Sequence, residues 1–174
     1  MGKARASAPP VHTGDTIRDS ALGQVPETLA DIVALNAAVW QRSLVAPTLL
    51  EVLRLRNART VNCVFCKSVR YEVARADGLT EARAALIDQD YAASALSERE
   101  KCAIALADAY LGFPAGISAE LAARLSAEFS VAQIASMLVA LLAFNFTSRT
   151  AVAIGGMPEE ALPITVLPAV AAAG

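Results

Sequence analysis

The chain has 174 residues, 55% of them apolar and only 5% aromatic, with 15 basic against 17 acidic side chains for a net charge of −2. That is enough for one well-packed domain and too little for two, and its Ala- and Leu-rich composition suits helix–helix packing over a sheet. The interspersed charges form no basic stripe of the kind nucleic-acid binding requires, and the positive mean hydropathy points to apolar surface covered by other subunits.

Residues 1–25 are rich in Ala, Pro, Ser, Gly and Thr without sustained periodicity, and read as a mobile or partner-draped arm. The opening MGKARASAPP lacks the apolar core of a secretory signal, so a cytoplasmic address is expected. From Pro26 a helical period takes over. Leu29, Ile32, Val33, Asn36, Val39 and Trp40 share a face, which predicts a helix over 27–43. Pro47 opens a second helix at its permissive first-turn position. A third is expected from Cys63, with Asn62 as its cap, to Gly78, which suits the left-handed position past a helix end.

Thr80 caps a short helix, Ser97 and Glu100 form a capping-box pattern ahead of KCAIALADAYLG, and Ser118 caps AELAARLSAEF. Ser130 with Gln133 opens the most apolar helix. Its stretch 134–146 is interrupted by Ser136 and Asn145 and falls short of the ~18–20 residues that span a bilayer, so no membrane is expected. Pro158, Pro163 and Pro168 disfavour another long helix and leave 158–174 as an extended tail. The expectation is an all-α bundle of about seven helices over 26–157.

The chemistry concentrates in NCVFCKSVR at 62–70. Three cysteines in a reducing compartment argue for redox or metal use over a structural disulfide framework. C-x-x-C supplies two metal ligands where a structural zinc site wants four, and no second pair exists, so no metal or cofactor is expected. Two thiols three apart at a helix start lie within reach of a disulfide, and continuing that helix would align Cys63, Cys66, Lys67 and Arg70 on one stripe. A free thiol of pKa about 8.5 is only ~3% ionised at pH 7, and an adjacent cation lowers it by roughly 1–3 units. Arg70 and Lys67 could therefore make a nucleophilic thiolate without a histidine. Cys102, in the apolar run CAIALA, reads as core. Asn145 and Arg149 could line a pocket or bind an anion, although helix capping or an inter-subunit contact is the plainer use.

The segment LLEVLRLRNARTVNCVFCKSVRYEVARADGLTEAR resembles the signature of the AhpD-like alkylhydroperoxidase and carboxymuconolactone decarboxylase superfamily. That signature runs Glu, eleven residues, C-x-x-C, three residues and His, followed by a turn of the form A-R-x-x-G-L-[ST]-E. Glu51 stands at the matching distance from Cys63, and ARADGLTE at 74–81 fits the turn. The similarity extends over residues 26–156. It implies an all-helical fold assembled into trimers or hexamers, and a dithiol that reduces peroxides at the expense of an external dithiol. Carried over by position, the dithiol is Cys63 and Cys66, with Cys66 the peroxide-attacking thiol and Glu51 the relay carboxylate.

One position departs from the pattern: Arg70 stands where the family has its relay His, and the chain's one histidine is His12 in the arm. Arginine does not shuttle protons, because its pKa exceeds about 12. It can stabilise a thiolate, or pair with Glu51 and silence both. Three readings follow. The first is a thiol-dependent reductase of hydroperoxides or disulfides. The second is an oligomeric scaffold that kept the fold and lost the relay. The third is a lactone decarboxylase, which would need a desolvated Glu51 as its base.

Overall fold

The computed structural model describes residues 5–10, 12–13, 17–88, 90–155 and 157–168. Eight α-helices lie among them: α1 (Pro26–Arg42), α2 (Pro47–Thr60), α3 (Val64–Ser68), α4 (Glu72–Ala76), α5 (Glu81–Ala85), α6 (Glu98–Leu111), α7 (Ala119–Glu128) and α8 (Val131–Ile154). Two short strands, β1 (Val69–Tyr71) and β2 (Thr165–Leu167), pair in parallel with Val69 opposite Thr165 and Tyr71 opposite Leu167. The fold is therefore mostly helical with a two-stranded sheet, where an all-α chain was expected.

α2 is the centre of the bundle and packs against α6 and α8. Leu50, Val52, Leu53 and Leu55 are fully enclosed, and each such side chain contributes about 1.5–3 kcal/mol of burial. A helix enclosed on nearly every side leaves its polar residues needing partners inside the protein. Glu51, Arg54 and Asn57 are three of these.

The capping residues read from the sequence hold the helix starts. Ser97 with Glu100 and Ser130 with Gln133 form complete capping boxes, and Thr80 and Ser118 each accept from the backbone N–H three residues on. α8 runs on past the apolar stretch through Thr147 to Ile154, and its length and composition would suffice to cross a membrane. Here it packs against α1, α2 and α6, with Met137, Ala140, Leu141, Ala143, Phe144 and Ser148 buried.

Candidate functional site

The predicted helix from Cys63 to Gly78 is broken. α3 stops at Ser68, β1 follows, and α4 starts at Glu72. Val69 and Tyr71 suit an extended strand, and β2 supplies a partner for it almost a hundred residues downstream. Asn62 also has a different role from the expected one. It takes the left-handed conformation at φ 56° and ends α2 in a Schellman motif, with Asn62 N donating to Arg59 O at 3.1 Å and Cys63 N to Ala58 O at 3.0 Å. Cys63 is the cap of α3, its sulfur accepting from Cys66 N at 3.2 Å.

Cys63 and Cys66 are joined as a disulfide, with Cα atoms 5.3 Å apart. Cys63 is wholly enclosed and Cys66 is half-buried. Cys102 is a free buried thiol on α6, and burial pushes it above the ordinary thiol range.

The break after Ser68 frees carbonyl oxygens at the end of α3, and two guanidiniums take them up. Arg54 donates to Cys66 O at 2.7 Å and to Val69 O at 2.6 Å. Arg70 donates to Lys67 O and to Val69 O, both at 2.8 Å. Each guanidinium also holds a carboxylate. Arg54 grips the fully enclosed Glu51 through two bonds of 2.6 and 2.7 Å, and its guanidinium lies 5.5 Å from the Tyr71 ring centre. Burial alone would lower the Arg54 pKa, but the Glu51 charge and hydrogen bonds more than reverse this and hold it above its ordinary value. Arg70 reaches Glu81 of α5 at 2.9 and 3.1 Å.

The stripe of Cys63, Cys66, Lys67 and Arg70 expected on one helix face is thus absent, because residue 70 lies on a strand. Arg70 pairs with Glu81 and not with Glu51, and Lys67 donates to the Asn62 side chain at 2.8 Å. His12 is exposed in the N-terminal arm. Among the described residues no three metal-ligating side chains gather at one place.

Sequence reading missed what does touch Cys66. Ser148 of α8 donates its hydroxyl proton to Cys66 Sγ at 3.4 Å. Asn57 Nδ2 of α2 donates to Ser148 Oγ at 3.0 Å, and Asn145 Nδ2 donates to Asn57 Oδ1 at 2.8 Å. Ser148 and Asn57 are buried and Asn145 is half-buried. The available signal was a polar pair three residues apart, Asn145 and Ser148, within the most apolar helix. Only Asn145 stood out as a candidate.

Beside α3 lies an open cleft of about 720 Å³, lined among others by Arg5, Arg59, Asn62, Lys67 and Glu159. Neither cysteine is part of its lining.

No family model and no curated protein matches the sequence. A solved structure does. The crystal structure of a protein of unknown function from Agrobacterium tumefaciens, described as a candidate AhpD antioxidant defence protein, superposes with a TM-score of 0.66. The two are 26% identical, and the match covers 78% of this chain and 93% of that one. The likeness read from the C-x-x-C segment thus extends over the fold.

Proposed function

We propose that this chain, AhpD-like in fold and in its paired cysteines, is a thiol-dependent reductase of hydroperoxides or disulfides. The observation that carries the reading is the Cys63–Cys66 disulfide, one cysteine enclosed and the other half-buried at the start of α3. In the reaction the Cys66 thiolate attacks the distal peroxide oxygen. The O–O bond breaks, the alkoxide leaves and takes up a proton, and Cys66 becomes a sulfenic acid. Cys63 attacks that sulfur, water departs, and the disulfide forms. An external dithiol then reduces the pair and is itself oxidised. No further cofactor is required. Turnover of an alkyl hydroperoxide with a dithiol donor, lost in both Cys66→Ser and Cys63→Ser, is the expected result. Equal turnover in all three proteins would refute it.

The scaffold reading also has a specific observation behind it. Glu51 is paired to Arg54 and Arg70 to Glu81, so neither side chain is free to carry protons to the thiols. This reading predicts negligible turnover with any dithiol donor. The same pairing argues against a lactone decarboxylase, since a carboxylate gripped by two guanidinium bonds is a poor general base.

A homo-oligomer, trimeric or hexameric, forms part of the proposal. Val139, Leu142 and Phe146 follow one another along α8 at helical spacing and are exposed in the single chain, as is Val131 at its start. Light scattering on the purified protein tests it. A monomer at micromolar concentration would exclude it.

A further inference from the structure

We infer that Ser148 is a catalytic residue of the dithiol, supplying the Cys66 thiolate with the hydrogen bond that the displaced cations do not. The inference rests on the reductase reading for its consequence, but not for its geometry.

Three donors point the same way. Asn145 donates to the Asn57 carbonyl, Asn57 donates to the Ser148 oxygen, and Ser148 donates to the sulfur. The Asn57 bond occupies the acceptor side of the hydroxyl and leaves its proton directed at Cys66 Sγ. A chain of aligned bonds in an enclosed site polarises each of its members. The hydroxyl keeps its proton throughout. Ser148 therefore stabilises charge and is not a shuttle, and Asn57 and Asn145 are positioning residues behind it.

The charged groups around Cys66 are otherwise engaged. Arg54 on α2 is paired to Glu51 and reaches the Cys66 carbonyl. Lys67 on α3 is bonded to Asn62, and Arg70 on β1 to Glu81. Arg149, next to Ser148 on α8, is exposed.

The effect is differential. In the disulfide the hydroxyl meets a neutral sulfur and the bond is weak. When the external dithiol attacks Cys66, the less enclosed cysteine, the S–S bond breaks and Cys63 leaves with the electron pair. The donor's second thiol then attacks the donor sulfur of the mixed disulfide, Cys66 leaves with the electron pair, and the same bond then holds an anion. Bonds to charged acceptors are the strong ones. Ser148 thus eases reduction of the disulfide and keeps Cys66 ionised for the next peroxide.

The test is the pH dependence of alkylation at each cysteine of the reduced protein, resolved by peptide mass. Ser148→Ala should raise the Cys66 pKa by about one to two units, the shift that corresponds to a hydrogen bond on a charged acceptor. Asn145→Ala, which leaves the hydroxyl in place, should raise it by less. Far-ultraviolet circular dichroism checks that the helices persist. If Ser148→Ala unfolds, Asn145→Ala carries the test alone. A Cys66 titration identical to wild type in the folded variants overturns the inference. Hydroperoxide turnover is read separately. A wild type inert to peroxide, with Cys66 still shifted in Ser148→Ala, sinks the reductase reading and leaves the role of Ser148. Turnover with an unshifted Cys66 does the reverse.

Discussion

Glu51 and Arg54, one turn apart on α2, face each other through two hydrogen bonds of 2.6 and 2.7 Å in a site where the carboxylate has no exposed surface. Removing one partner strands a buried charge, which typically costs about 3–5 kcal/mol. Arg54→Met also uncaps the Cys66 carbonyl, while Arg70 still reaches that of Val69, so it should sit at the upper end of that range. Replacing both residues, as Glu51→Leu with Arg54→Met, should destabilise less than the sum of the single changes. Urea midpoints of the four proteins check this, and an additive result would mean that the pair does not act as a unit.

Arg70, at the position where the resemblance leads one to expect a histidine, sits on β1 with its guanidinium on Glu81. Arg70→His is therefore expected to give no gain in hydroperoxide turnover. It also removes the Arg70 donor from the Lys67 carbonyl, while Arg54 still holds that of Val69, and should destabilise by roughly 1 kcal/mol, the low end of the cost of leaving an acceptor unmet. A large gain in rate would mean that residue 70 reaches the thiols after all.

The reasons for these two expectations show where the sequence stops being legible. Helix starts were readable because Ser97, Ser118 and Ser130 act on residues three positions away, and Gly78 ends α4 by its own left-handed backbone. The dithiol was readable because its two sulfurs share one turn. The break after Ser68 was not, because the partner of β1 is Thr165–Leu167, and nothing within the window of 62–78 announces it. The long-range contact overrode a local pattern that would otherwise extend the helix. The Ser148–Asn57–Asn145 chain escaped for the same reason, since it exists only once α2 and α8 are packed together.

Thiol counting separates Cys102 from the pair. Burial holds its thiol above the ordinary range, so it should stay largely unlabelled in the native protein at neutral pH. Native alkylation should add no more than trace label without reductant and, after reduction, should label Cys66 first, with the enclosed Cys63 slower. Prompt labelling of a third thiol in the reduced native state would show that α6 opens readily.

Glu100 ties α6 to α5. It accepts from Arg83 Nε at 2.7 Å and from the Ser97 backbone and hydroxyl at 2.9 and 2.7 Å. Burial alone would raise its pKa, but these bonds and the Arg83 charge hold it below the usual carboxylate range. A carboxylate depressed in the folded state adds stability above its unfolded pKa of about 4.3, and that stability is lost as pH falls through the folded value. Glu100→Gln should therefore be less stable than wild type at pH 7, by about 1–2 kcal/mol, and close to it at pH 3. Urea midpoints at the two pH values give the comparison, and a gap as wide in acid as at neutral pH would contradict the linkage.

The central claim is that Cys66 attacks and Cys63 resolves. The direct measurement is mass spectrometry of the reduced single-cysteine variants after one equivalent of an alkyl hydroperoxide and a sulfenic-acid trapping reagent. In Cys63→Ser, the account predicts a trapped adduct on Cys66. In Cys66→Ser, it predicts none on Cys63, which is enclosed beneath it. An adduct on Cys63 alone, or on neither cysteine, would contradict the account.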